Sequence, residues 1–250
     1  KSGEKNVKKM SETLSIIGQI NTLLGKYPQA EEAFLEVIAL TKDSTRDHNV
    51  EFALALNYLG LVYFKRGDLD QAMEKFQESL RIRLTAPETS SDVAVLYYNI
   101  ASIYLHKGDN ESALAHFKRA LEVERRTLGQ YHPDVAITLK LIGKVYDRCG
   151  QFDEGVQHYS DAFDIYVRSY DSADASSRDV KDYKKSAARI LALIASIHLR
   201  QANIPRMTAA LSQAYRLFRE VGLPLHELEL DTGFDMYDLS VLHPKGAAAA

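Results

Sequence analysis

Three cations of this chain stand one helical turn apart: Lys140, Lys144 and Arg148. On a helix that spacing puts all three on one face. Such a stripe suits the carboxylates of an acidic segment; the plainer reading is a solvated helix face. Other chemistry is scarce. The eight histidines are scattered and form no His-x-x-x-His or His-Glu-x-x-His pair, so no metal site is expected. The glycines stand singly, without the cluster that cradles a phosphate. No Ser/His/Asp arrangement is recognisable, and no pair of carboxylates is marked out from ordinary surface acids. The residues therefore predict no catalytic group, no cofactor and no enzyme. The one cysteine, Cys149, sits before Gly150 and reads as a packed small residue.

The elements that must carry these residues are written as a repeat. A small residue opens each copy at Gly18, Gly60, Ala101, Gly143 and Ala195. Seven further on stands another, at Gly25, Gly67, Gly108, Gly150 and Ala202. Sixteen after the opening comes a bulky one, at Phe34, Phe76, Phe117, Tyr159 and Leu211. The step is 42, 41 and 42 residues, then 52. A fixed period of this kind means stacked copies of one supersecondary unit. Each copy reads as two amphipathic helices, with the second glycine stopping the first helix. Asp68, after Gly67, is placed to cap the next helix. Gly60 inside a helix costs about 1 kcal/mol relative to Ala, which close approach of a partner helix would offset. Ala120, Ala162 and Ala214 fill the matching place on the second helix. The fold expected is all-α: a right-handed α-solenoid of about five helix-turn-helix repeats, each about 42 residues long. The array spans 8–221, with units near 8–43, 47–85, 89–128, 132–170 and 178–221. The surplus in the last step falls at 170–185, a stretch rich in Ser, Asp and Lys that reads as a longer exposed connection, helical in part at its end.

Composition narrows the function classes. Of 250 residues, 46% are hydrophobic and 26% charged, as in an ordinary soluble protein. A formal net charge of -3 disfavours nucleic acid, which calls for a basic face. No apolar run approaches the roughly 18 residues of a membrane span, so no membrane partner is expected. The opening KSGEKNVKKM lacks the apolar core of a signal peptide. One cysteine and no signal peptide point to a reducing compartment, and the expected location is cytoplasmic.

Gly60, Tyr63, Gly67, Ala72 and Phe76 match slot by slot the tetratricopeptide repeat, a small residue followed by an aromatic, a Gly, an Ala and a Phe or Tyr. Ala101, Tyr104, Gly108, Ala113 and Phe117 do so again. Departures are Asn21 in the first aromatic slot, Gly155 in the fourth Ala slot, and His198, Ala202 and Met207 in the fifth unit. The junction Leu128, Gly129, His132, Pro133, Asp134, Val135 and Ala136 resembles the LG-x-x-HPDVA of kinesin-light-chain-type repeats. Pro133 also has an ordinary place in the first turn of a helix.

The resemblance implies a protein-binding groove for short peptide segments, lined by the first helix of each unit. Residues there that packing does not claim become the candidate peptide-binding set: Asn57, Leu61, Phe64, Lys65, Asn99, Ser102, Leu105, His106, Lys140, Lys144, Arg148, Arg189 and Arg200. The amides of Asn57 and Asn99 offer a donor and an acceptor each to a peptide backbone. Leu61, Phe64 and Leu105 suit an apolar anchor, and the cations of the later units suit acids. The partner expected is an acidic protein or peptide segment bound by an adaptor. A clamp for C-terminal carboxylates is an alternative, although that type needs a Lys and an Asn where this chain has Ser15 and Gln19. A structural or regulatory oligomerising subunit is another.

Residues 222–250 leave the repeat. They hold Glu227, Glu229, Asp231, Asp235 and Asp238 against Lys245, with Phe234, Met236, Tyr237 and Leu239 between the acids. Three readings stay open: a segment capping the last apolar face, a tail entering its own or a neighbour's groove, or a disordered tail.

Overall fold

The computed structural model describes residues 2–42, 46–85, 91–172 and 178–222. Among them are ten helices and no strand. The chain divides into two compact units, residues 1–129 and 130–250. The first holds α1 (Ser2–Leu23), α2 (Tyr27–Thr41), α3 (Arg46–Arg66), α4 (Leu69–Leu84), α5 (Ser91–Lys107) and α6 (Asn110–Thr127). The second holds α7 (Pro133–Arg148), α8 (Phe152–Ser172), α9 (Arg178–Arg200) and α10 (Ile204–Glu220). Consecutive helices pair as hairpins, giving the five helix-turn-helix copies that the period predicts. In the first unit α2 packs on α3 and α4 on α5, while α1 also touches α3 and α3 touches α5. In the second unit α8 packs on α9.

The small-and-bulky couples hold the hairpins together. A Cβ at Gly60 would lie 2.7 Å from the Phe76 ring, and one at Gly143 would lie 2.7 Å from the Tyr159 ring. Side chains cannot approach so closely, so these crossings exist only because the opening residue is small. Phe34, Phe76, Phe117 and Tyr159 are fully buried, as are Ala101, Ala195, Ala120, Ala162 and Ala214.

The turns are equally uniform. Gly67 has φ +93° and donates to the Phe64 carbonyl at 3.1 Å, while Asp68 donates to the Tyr63 carbonyl at 2.9 Å. This pair of bonds closes a left-handed helix C-terminus. The same pattern recurs at Gly25, Gly108, Gly150 and Ala202, the last a non-glycine at φ +53°.

Some details differ from the sequence reading. Asp68 makes no side-chain cap; its carboxylate pairs with Arg66 instead. The capping role falls to Asp109, which accepts from the Ser112 amide at 3.0 Å, and to Asn203, which accepts from Arg206 at 3.3 Å. Cys149 is exposed, because the C-terminal cap of α7 turns it away from the hairpin contact. The connection 170–185, expected to be helical in part at its end, has α8 ending at Ser172 and α9 beginning at Arg178. The acidic segment beyond Gly222 lies outside the described residues.

Candidate peptide-binding faces

On the first unit, the first helices α3 and α5 bring two asparagines together. Asn57 and Asn99, 42 residues apart, are each 8% exposed, and the Asn99 amide donates to Oδ1 of Asn57 at 3.0 Å. One donor and one acceptor are thus spent between the helices. Among the described residues the Asn57 amide N–H groups and the Asn99 carbonyl oxygen are uncommitted. The pair presents a donor beside an acceptor, the pattern that a peptide backbone also carries.

Two turns along, Phe64 and His106 meet edge to face, with ring centres 5.0 Å apart. Phe64 and Leu61 are half-buried against the core of α3, α4 and α5. Lys65 and His106 are exposed. Ser102 spends its hydroxyl on the Tyr98 carbonyl at 2.9 Å, and the His106 ring lies 2.8 Å from the Ser102 carbonyl. Leu105 is buried, so its apolar surface serves packing.

At the rim, cations staple one hairpin to the next. Arg66, at the end of α3, reaches Glu31 on α2 at 2.7 Å. Glu31 also accepts from the Tyr63 hydroxyl at 2.8 Å. Burial, followed by that hydrogen bond, pushes the Tyr63 phenol up to about 12. Lys107, at the end of α5, pairs with Asp70 on α4 and holds that carboxyl below the usual range through the hydrogen bond. These contacts account for Tyr63 and Arg66 structurally.

On the second unit, α7 places Lys140, Lys144 and Arg148 on successive turns. Lys140 is half-buried, and Lys144 and Arg148 are exposed. From α9, Arg189 is half-buried and Arg200 exposed. Arg200 pairs with Asp147 of α7 and lies over the Phe152 ring, 5.1 Å from its centre. Its charge therefore ties α9 to α7. The sequence reading missed that use of Arg200. It also missed the Asn57–Asn99 bond, although identical residues one period apart were a signal for it.

Among the described residues no helix is long and apolar enough to cross a membrane. No cluster of His, Cys, Asp and Glu there would hold a metal ion.

Comparison with known proteins places this geometry. The photosystem I assembly protein Ycf3 of Synechococcus elongatus is 26% identical over 123 residues, covering 49% of this chain and 68% of that protein. Protein KINESIN LIGHT CHAIN-RELATED 1 of Arabidopsis thaliana is 22% identical over 158 residues, 63% of this chain but 26% of that protein. Among solved structures, BtubC (BKLC) from P. vanneervenii superposes with a TM-score of 0.74 at 18% identity, covering 98% of this chain and 86% of that one. The last is a likeness of fold. The fold is that of a protein–protein interaction scaffold. The family pattern of the tetratricopeptide repeat matches residues 9–85 and 92–173. With more than half of its residues inside that pattern, the chain belongs to the tetratricopeptide repeat family.

Proposed function

We propose that this chain is a non-enzymatic scaffold that holds an acidic peptide segment, as a kinesin-light-chain-like cargo adaptor of the cytosol would. The observation that carries the reading is the α7 stripe, where Lys140, Lys144 and Arg148 follow one another at one-turn spacing. Cations so spaced meet carboxylates on alternate residues of an extended chain, and the exposed ammonium of Lys144 needs no rearrangement to do so. The first unit supplies a separate binding element. There Asn57 and Asn99 take a peptide backbone, and Leu61 and Phe64 take an apolar side chain. Lys65 and His106 flank that element, and Arg189 adds to the charge of the second unit.

The test is fluorescence anisotropy with Asp/Glu-rich peptides that carry one Leu or Phe. Reversing Lys140 and Lys144 to Glu should weaken binding about tenfold or more, near 1.4 kcal/mol. Unchanged affinity would remove the stripe from the site. Residues 223–246 have the same chemistry as the proposed ligand, with five acids among aromatic and aliphatic residues. If they occupy a binding face, deleting 226–246 tightens peptide binding; if they cap the array, the deletion causes aggregation.

A second reading draws on Ycf3, whose name makes it an assembly protein. Under that reading the faces hold a folding or assembling subunit, and the affinity lies in apolar surface. Binding that resists salt and ignores the lysine reversals would favour it over the acidic peptide.

A further inference from the structure

The outer seam of α10 is polar where the same seam of α8 is apolar. Counted from the opening residue of each copy, the position twenty further on holds Ile38, Leu80, Leu121, Phe163 and Tyr215. Leu80 packs against Val93 and Ala94 of the next hairpin, which identifies the side of each second helix that faces onward. On α8 that side carries Val156, Phe163 and Val167, all half-buried, and α8 packs on α9. On α10 the matching residues are Thr208, Tyr215 and Arg219, all exposed. A helix that closes a repeat array has a polar outer face of this kind. Ile204 and Tyr215 are the large apolar side chains left exposed on α10, too few for an apolar docking face. The acidic segment after Gly222 therefore has no apolar face to cover there, and its charge needs another use.

That use is legible in the spacing. Glu227, Glu229 and Asp231 alternate with Leu228 and Leu230. In an extended strand alternate residues share a side and recur about every 6.7 Å. Lys140, Lys144 and Arg148 share a face of α7 and recur every four residues, about 6 Å on a helix. Three acids thus meet three cations step for step. The leucines then point to the opposite side, toward α9, which Arg200 ties to Asp147 of α7. There Leu199 is 45% exposed, in the repeat position that Phe64 holds on α3. The segment can reach this place. Lys184 of α9 holds Glu220 at 2.8 Å, so the chain leaves α10 beside the early part of α9. The five residues from Gly222 to Glu227 span up to about 17 Å, more than the diameter of one helix. Entering from that end, the acids run along α7 in chain order.

We propose that residues 227–231 lie extended in the furrow between α7 and α9 and keep acidic peptides out until one displaces them. Glu227 sits on Lys140, Glu229 on Lys144 and Asp231 on Arg148, with Leu230 against Leu199. This rests on the reading of the α7 stripe as an acidic-peptide site and adds its regulation. A segment tethered so closely has an effective concentration of about 1 mM. At that concentration even a weak fit, with a dissociation constant of about 0.1 mM, lowers the apparent affinity for an outside peptide about tenfold.

The experiment uses the whole chain. Cys149, its one cysteine, is exposed and follows Arg148, so a nitroxide attached to it reports on that end of the furrow. Paramagnetic broadening of backbone amides is expected to be strongest at Asp231, weaker at Glu229 and weakest at Glu227. Lys140→Glu with Lys144→Glu should abolish it. Neutralising the segment with Glu227→Gln, Glu229→Gln and Asp231→Asn should tighten binding of an Asp/Glu-rich peptide about tenfold by fluorescence anisotropy. No broadening at 227–231 overturns the proposal and leaves the acidic-peptide site standing if peptides still bind. Broadening that comes only from a spin-labelled neighbour, mixed with an isotope-labelled chain, overturns it as well. So does a measurable peptide affinity that the neutralised segment leaves unchanged. Should peptides bind neither form while the broadening persists, the acidic-peptide function fails and the docking of the segment stands.

Discussion

The first-helix faces of the two units use their polar groups differently. On the first unit the central pair is neutral and bonded across helices: Asn57 and Asn99 are buried at 8% exposure and hold each other at 3.0 Å. On the second unit the corresponding helix carries a run of cations, and one arginine from α9 is drawn into the scaffold through Asp147. Buried amides are costly to leave unpaired, so the first face is built into stability. Exposed Lys144 costs little either way, so that part of the second face is nearly separate from stability. The lesson is that mutation of the buried amide pair should read out in folding whatever it does to affinity, and mutation of Lys144 in affinity alone.

The strongest way to sharpen that contrast is the core under the first face. Phe76→Ala should cost about 4 kcal/mol, since the ring is fully buried against Gly60. Denaturant unfolding would register it, whereas Lys144→Glu should leave the same midpoint in place. An Asn99→Ala change comes next. It strands Oδ1 of Asn57, and the expected loss is about 2 kcal/mol. That loss should not depend on salt, while any binding loss from Lys140→Glu and Lys144→Glu should shrink as salt rises. If Asn99→Ala lowered affinity at unchanged stability, the division between the faces would fail.

The smallest effect probes the turns. Ala202 occupies the left-handed position that Gly25, Gly67, Gly108 and Gly150 fill elsewhere, at φ +53°. Ala202→Gly should raise stability by about 1 kcal/mol, relief of the left-handed strain outweighing added chain entropy. Gly150→Ala, within the same unit, should lower it by a similar amount. Equal responses at the two sites would mean that the fifth turn is not strained.

Much of the fold was legible because the repeat states it several times over. Gly60 with Phe76 and Gly143 with Tyr159 are chemically odd inside helices unless they face each other, and the constant spacing said that they do. The candidate residues fall on α3, α5, α7 and α9, but Leu105 is buried and Arg200 is tied to Asp147. One residue of slip turns a helical side chain by about 100°, so spacing within a helix cannot tell a rim position from a packed one. Cys149 shows the same limit, since the residue before the turn glycine lies where the helix is already unwinding toward solvent.

The order of residues determined the helices, their turns and the couples that close each hairpin, because those depend on neighbours fewer than twenty positions away. Tertiary structure decided what happens one period apart. It set Asn99 on Asn57, and it buried Leu59 and Val62 while leaving Ile17 and Ile20 bare. The same residue types at the same repeat positions meet opposite fates, since burial is a property of what lies alongside a helix and not of the helix itself.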